Sequence, residues 1–289
     1  QGTYTVLAQI IAERLNIPFD KIHVVNETTT DTAPYDWQTV ASRMTVLAGN
    51  AIIEACDDLV EQIYELGSII LHAAKHELAI GDQCVYVKQH PENKLPYYKI
   101  AIGYVYSNGN SIGGPLIGRG KSIAQGLTFL NQETGEGKPA LDWTFGAHGI
   151  EIEVDKNTGD IEILKIASAF DVGHVMNKML LEGQVVGGVI QGLGTALCEG
   201  MIYDNKGRLL TRNFVDYKIP TMQDLPGKIE LHFVETPQLD GPYGARGCAE
   251  HPMISITSVI GNAIADATGV EIYELPFTAD KVYRALNKR

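Results

Sequence analysis

The chain has 289 residues, of which 45% are hydrophobic and 20% charged, a composition that excludes collagen, coiled coil and intrinsic disorder. Its formal net charge of −12 argues against sequence-independent nucleic-acid binding and against attachment to an anionic membrane. No apolar run is long enough to span a membrane. The four isolated cysteines are not spaced as a metal or redox pair and predict a reducing, cytoplasmic environment. The start at Gln1, directly before a helical pattern, predicts a processed or excised piece of a longer protein.

In the first half of the chain, helical and strand patterns alternate. Apolar residues from Val6 to Leu15 recur with helical spacing, which predicts a helix over residues 2–15. A longer pattern predicts a helix over residues 42–78, closely packed at the small residue Gly49. Strands are predicted over residues 22–25, 84–88 and 97–106, and loops over the polar residues 26–38 and the glycine-rich residues 107–120.

The second half begins with two alternating apolar patterns around a turn, which predict a strand pair over residues 149–154 and 161–170. A helix over residues 180–199, a strand over 229–234 and helices over 252–268 and 279–287 follow. This irregular order predicts an α+β class, with mixed helices and short sheets in two closely packed lobes. The lobes are expected at residues 1–112 and 143–289, with residues 113–142 as the seam.

The segment from Gly113 to Ser122 is rich in glycine and ends in Gly-Lys-Ser, like a phosphate-binding loop. Pro115 stands where such a loop needs its first glycine, and proline removes an N–H group that would contact phosphate. A solvated loop is therefore the simpler interpretation. A nucleotide-binding protein stays open as an alternative at this point.

Five glycines fall within residues 183–194, inside a predicted helix. Each glycine there costs about 1 kcal/mol relative to alanine, and close helix packing is the simplest reason to accept that cost. Gln184 and Gln191 are seven residues apart and therefore lie on one face of the helix. A polar ligand beside that face would satisfy their amide groups if they are buried.

Two predicted helix starts carry residues that could either cap the helix or take part in binding or catalysis. Glu250 precedes a helix that is predicted to begin at Pro252, so it either interacts with the helix dipole or acts as a general base on a glycine-supported loop. Ser42, Arg43 and Thr45 open the long predicted helix. They form either an anion site or an ordinary serine cap with a surface arginine.

The histidines predict no metal site. His72 and His76 are four residues apart on a helix, but no carboxylate–histidine signature accompanies them. His148 follows a strand-like stretch, and His251 lies beside Glu250. Both are interpreted as structural residues.

Several short segments occur in a fixed order: residues 1–9, 41–45, 171–173, 182–194, 216–220 and 241–247. In this order they resemble the C-terminal half of the molybdenum-binding large subunit of the xanthine dehydrogenase, aldehyde oxidoreductase and carbon monoxide dehydrogenase family. The likeness spans essentially the whole chain, and Glu250 falls where the family keeps its active-site glutamate. Met44, Ala249 and His251 depart from the family pattern.

The resemblance implies a molybdopterin cofactor carrying molybdenum, in its cytosine dinucleotide form as in many bacteria. It implies that Glu250 is the general base that deprotonates a molybdenum-bound hydroxyl, so that the oxygen attacks an electron-poor carbon of an aldehyde or N-heterocycle. By the same likeness, Gln184 contacts the pterin dithiolene or pyrophosphate region. The remaining cofactor-binding residues are then Gln1, Ala41, Ser42, Arg43 and Thr45.

The resemblance also implies partners. These are the N-terminal half of the molybdenum subunit, a 2Fe-2S subunit or domain, a flavin (FAD) subunit, and a small-molecule substrate, with electrons leaving through the iron–sulfur clusters. The chain alone is expected to be inactive. A non-catalytic assembly module with the same fold is the alternative from a different class.

Overall fold

The computed structural model describes residues 1–25, 29–31, 33 and 38–288. These residues form two compact units. The N-terminal unit contains residues 2–141 and 238–246, and the C-terminal unit contains Gln1 and residues 142–237 and 247–288. Helices combine with short sheets in both units, so the predicted α+β class is confirmed.

The N-terminal unit has two helices and two small sheets. Helix α1 spans Thr3–Leu15 and α2 spans Met44–Leu71. One antiparallel sheet contains β1 (Leu78–Gly81), β2 (Cys84–Val87) and β3 (His90–Pro96), and a second contains β4 (Tyr104–Val105) and β5 (Ser111–Ile112). The core between α2 and the first sheet consists of Ile63, Leu78, Val85, Val87, Leu95 and Ile100.

Three predictions in this unit differ from the structure. Residues 22–25 form no strand. The long helix ends at Leu71 and not at residue 78, because His72 adopts a left-handed backbone (φ 54°) and Leu78 pairs with Val87 in β1. Residues 97–99 form a 3-10 turn, so only a short strand remains of the one predicted over 97–106. Most of the predicted polar loop, at residues 26–28, 32 and 34–37, lies outside the described residues.

Close packing at Gly49 is confirmed. A Cβ atom at this position would lie 2.6 Å from Cγ of Pro242, which belongs to the same unit. Because that separation is far shorter than van der Waals contact, only glycine fits between α2 and the turn at residues 242–244.

The glycine-rich stretch at residues 113–121, which we call the strap, runs along α2. Its backbone N–H groups at Ile117, Arg119 and Lys121 donate to side-chain oxygens of Gln62, Asp58 and Glu54, at 3.4, 2.9 and 2.9 Å respectively. A Cβ atom at Gly118 or Gly120 would overlap with the carbonyl oxygen of Ala55 or Ala51. The strap is therefore held by its backbone, directly on the helix backbone.

The C-terminal unit is built on one mixed sheet. Strand β6 (Phe145–Val154) pairs antiparallel with β7 (Ile161–Asp171), and β8 (Lys228–Val234) pairs parallel with β7. The predicted strand pair is confirmed, although β6 begins earlier than predicted. The helices of this unit are α3 (Lys178–Leu197), α4 (His251–Ile254), α5 (Ile256–Thr268) and α6 (Ala279–Leu286).

The core of this unit fills the space between the sheet and helices α3 and α5. Its buried members include Ile166, Phe170, Val185, Val189, Leu193, Ile256 and Ile260. The helix predicted over residues 252–268 is interrupted at Ser255, which separates the single turn α4 from α5. Among the described residues, no helix has both the length and the hydropathy needed to cross a bilayer.

The contact between the strap and α2 predicts different effects for two glycines of the same strap. Gly120→Ala places a methyl group against the carbonyl oxygen of Ala51 and should lower the free energy of unfolding by about 1–3 kcal/mol. Gly114→Ala is the matched control, because a Cβ there meets no atom within 4 Å, and it should change stability by less than about 1 kcal/mol. Urea denaturation measures both. Equal losses of stability in the two variants would contradict the close contact between Gly120 and α2.

Candidate functional site

The glycines of α3 fall into two groups. A Cβ atom at Gly188 would lie 2.9 Å from Cβ of Pro252, and one at Gly192 would lie 2.6 Å from Cβ of Ile256. A Cβ at Gly194 would overlap with the carboxylate of Glu199. Close packing therefore explains these three glycines, as the sequence predicted.

Close packing does not explain Gly183 and Gly187. Both are exposed, and a Cβ atom at either position would meet nothing within 4 Å. They flank Gln184, which is half-buried, whereas Gln191 two turns further on is exposed. Water can therefore satisfy the amide of Gln191, while Gln184 lies beside a bare strip of helix backbone. This strip leaves room for a polar group to approach α3.

Glu250 is the N-cap residue of α4, which is only four residues long. Its backbone is helical (φ −89°, ψ −31°), it makes no side-chain cap bond, and its side chain is exposed in the described chain. Pro252, two residues later, is buried under Gly188 of α3. Since Gly188 follows Gln184 by one helical turn, the contact holds the Glu250 and Gln184 segments side by side.

A cluster of rings lies directly behind Glu250. The ring of Phe170 on β7 contacts both His148 and His251 edge to face, with centroid separations of 5.2 and 5.1 Å. Nδ1 of His148 is 2.7 Å from the hydroxyl of Ser168, which is itself buried. Gly146 lies beneath the Phe170 ring, where any Cβ would overlap with it.

Three imidazole nitrogens of this cluster are sequestered without a hydrogen-bond partner among the described residues. They are Nε2 of His148 and both ring nitrogens of His251. Burial lowers the pKa of both histidines, against a smaller opposite effect of the Pro252 backbone on His148, and the charge of His148 lowers the pKa of His251 further. Both rings are therefore neutral near pH 7. The sequence indicated two separate structural histidines and gave no sign that they form one cluster, because they lie far apart in the chain.

The surroundings of Cys248 disfavour the ionised form of its thiol. Burial raises the pKa of its thiol to about 12, and the thiolate, not the thiol, is the reactive form. Within the residues that the structure describes, no group of three or more histidine, cysteine, aspartate or glutamate side chains is arranged to hold a metal ion.

The other predicted site residues are divided between the two units. Gln1 is exposed and belongs to the C-terminal unit, together with Gln184 and Glu250. Ala41, Ser42, Arg43 and Thr45 belong to the N-terminal unit, at the start of α2.

An ordinary serine cap at Ser42 was the wrong interpretation. Ala41 and Ser42 both have left-handed backbones (φ 56° and 52°), and Arg43 is the N-cap residue of α2. The helix start carries no side-chain cap bond from the described residues. A helix start and an arginine thus lie next to a left-handed turn, a combination that suits an anion.

The phosphate-loop alternative loses support. In that alternative, the N–H groups of the glycine-rich loop would bind phosphate. In the strap, the N–H groups of Arg119 and Lys121 donate to carboxylates of α2. An anion would have to displace these carboxylates and then lie next to them.

Comparison with known proteins identifies a consistent set of relatives. A family model described as the molybdopterin cofactor-binding domain matches residues 1–226. The nicotine 6-hydroxylase large subunit of Paenarthrobacter nicotinovorans is 32% identical over 99% of this chain and 34% of that protein. A putative xanthine dehydrogenase molybdenum-binding subunit of Escherichia coli is 33% identical over 98% of this chain and 36% of that protein.

Solved structures give the same result. The chain superposes on reconstituted CO dehydrogenase from Oligotropha carboxidovorans with a TM-score of 0.82 and 26% identity, covering 99% of this chain and 34% of that one. For quinoline 2-oxidoreductase from Pseudomonas putida the TM-score is 0.79 and the identity 28%, with 99% and 35% covered. The chain thus spans about a third of the length of the relatives that it matches.

The neutral histidine cluster predicts a pH-dependent stability. In the unfolded chain each histidine takes up a proton near pH 6.5, whereas in the folded chain the pKa values of His148 and His251 are lower. The stability contribution of the pair is therefore complete above about pH 6.5. Below that value it falls as the pH drops, by up to about 1.4 kcal/mol per pH unit for each histidine. Urea denaturation from about pH 8 to pH 5.5 measures this loss. The double substitution His148→Phe/His251→Phe should flatten the profile, and an unchanged profile would contradict the assignment.

Proposed function

The chain belongs to the molybdopterin cofactor-binding domain family, and on that basis we propose that it supplies the general base and much of the cofactor shell of a molybdenum hydroxylase. Its relatives include molybdenum-binding subunits, and it covers about a third of their length. The proposed reaction is the hydroxylation of an electron-poor carbon in an aldehyde or N-heterocycle. It requires the remainder of the molybdenum subunit.

One observation carries this proposal. The segment that bears Glu250 is held against α3 through Pro252 and Gly188, one turn from Gln184 and beside the bare backbone at Gly183 and Gly187. A carboxylate and a polar, open helix face are thus fixed within one unit. This arrangement has a proton acceptor and a surface for a polar cofactor close together.

The residues of the C-terminal unit fit a molybdopterin. The half-buried amide of Gln184 offers both donors and an acceptor to a pterin or pyrophosphate, and the two open glycines leave space for it. When bound, the molybdenum–pterin group supplies the redox centre that takes two electrons from the substrate. We propose that an oxygen of the Glu250 carboxylate accepts the proton released in the reaction, because a bound metal makes nearby hydroxyl groups more acidic.

In the N-terminal unit, the left-handed turn at Ala41 and Ser42, with Arg43 and the start of α2, fits a phosphate. Thr45, in the first turn of the helix, adds a hydroxyl donor. We propose that this segment binds the phosphates of the cofactor, in its cytosine dinucleotide form, and that Gln1 contributes further polar contacts.

We also propose partners. In the C-terminal unit, the irregular segment at residues 201–222 exposes many large apolar side chains, with Phe214 at 78% and Met222 at 82% exposure. Exposed apolar groups of this density mark an interface. The N-terminal half of the molybdenum subunit is the proposed occupant. A 2Fe-2S subunit and a flavin subunit would carry the electrons away. We expect these subunits to form one complex in the cytoplasm.

Glu250→Gln tests the base directly. In the assembled molybdenum subunit, this variant should retain molybdenum and pterin while kcat for hydroxylation falls by about 10²–10⁴-fold, because glutamine cannot accept the proton. Metal analysis, pterin release and turnover of a panel of aldehydes and N-heterocycles measure the effect. Glu153→Gln is the matched control, since Glu153 is an exposed glutamate of β6 in the same unit. Near-normal turnover by Glu250→Gln would exclude this base. If the assembly itself contained no cofactor, that would favour the assembly-module alternative.

Gln184→Leu tests the cofactor contact. Loss of hydrogen bonds to a charged group should weaken cofactor retention by roughly ten- to hundredfold, measured as pterin remaining after gel filtration. Gln191→Leu is the control on the same helix face, and its exposed side chain should not matter. Equal pterin content in all three proteins would argue against the Gln184 contact.

A further inference from the structure

The helix turn that bears the proposed base cannot hold itself in place. An isolated helix of one turn is unstable because nucleation costs more than its single hydrogen bond returns. The position of Glu250 therefore depends on the contacts of the residues that follow it. These contacts include Pro252 against Gly188 of α3 and the ring of His251 against Phe170 of β7.

The second contact is made at a cost. Both ring nitrogens of His251 are sequestered and have no hydrogen-bond partner among the described residues. An apolar ring of similar shape would fill this position without leaving polar atoms unsatisfied. A buried polar group that is left unsatisfied calls for a functional explanation.

A second titratable ring lies across Phe170. His148 contacts the same phenyl ring and acts electrostatically on His251. The other ionisable groups on the surrounding elements are Glu151 and Glu153 on β6, Glu162, Lys165 and Asp171 on β7, Lys178 and Glu182 on α3, and Asp266 on α5, with Cys248 and Glu250 on the adjoining segment. Protonation of His251 thus places a charge on a ring whose two nitrogens have no acceptor among the described residues.

We propose that His251 is a positioning residue for Glu250, and that its neutral ring, packed on Phe170 opposite His148, sets the acid limit of the reaction. This inference depends on the proposed role of Glu250. When His251 takes up a proton, the ring leaves its apolar contact to reach water, and the single turn α4 loses this anchor. Glu250 is then no longer held beside α3.

Three variants of the assembled, cofactor-loaded subunit test the proposal. His251→Phe keeps a ring against Phe170 but cannot be protonated, so its kcat should begin to fall at a lower pH than that of the wild type. His148→Phe removes the neighbouring charge, so the acid limit should move to higher pH. His251→Ala removes the anchor and should lower kcat by about 10–100-fold with little change in KM, whereas His251→Phe restores kcat. Opposite shifts for the two phenylalanine variants support the proposal, and an unchanged acid limb in either variant overturns it.

A readout that does not depend on turnover separates this inference from the proposed function. Hydrogen exchange of the backbone N–H groups at residues 251 and 253–256, corrected for the intrinsic effect of pH, should accelerate below about pH 6 in the wild type and in Glu250→Gln. It should not accelerate in His251→Phe. Full activity of Glu250→Gln would remove the proposed base while leaving the histidine anchor intact. Equal exchange in the wild type and His251→Phe would remove the anchor even if Glu250 is the base.

Discussion

The C-terminal unit depends on the close contact between the backbone of α3 and the segment that contains Pro252 and Ile256. Gly188 and Gly192 allow this approach, because any side chain at either position would overlap with the facing residue. Each glycine weakens the helix by about 1 kcal/mol, and the buried contact with Pro252 and Ile256 offsets that loss. The same contact aligns the Gln184 and Glu250 segments. A packing requirement of the core thus determines where the candidate site lies.

The ring cluster lowers stability in a different way from the glycines of α3. His148 and His251 place uncharged polar rings around Phe170 where apolar side chains would be cheaper, and Gly146 leaves room for the phenyl ring. Local conflicts of this kind concentrate at functional sites, where stability has been given up for chemistry. The cluster lies directly behind Glu250, which is consistent with that rule.

The sequence predicted those elements whose signal is local. The strand pair of β6 and β7 follows from alternation around a turn, and α1 follows from helical spacing that ends at Asn16, whose left-handed backbone caps the helix. The end of α2 was missed because His72 carries no turn signature and β1 becomes a strand only through pairing with β2. The parallel pairing of β8 with β7 is likewise set by contacts between distant residues. Glu250 and Gln184 were identified through a family resemblance, whereas the relation of His251 to His148 exists only in the folded chain.

The spacing of the N–H groups along the strap almost matches the spacing of their acceptor side chains along α2. Every second N–H group of the extended strap donates to every fourth side chain of α2. Two residues of extended chain rise by about 6.6 Å, and four residues of helix rise by about 6.0 Å. A change in the length of the strap by one residue would therefore turn every donor away from its acceptor at once. Exchanges of the outward side chains at Ile117, Arg119 or Lys121 would leave the alignment intact. Over evolutionary time these three positions should accept new residues freely, whereas the strap should keep Gly118 and Gly120 and resist insertions and deletions.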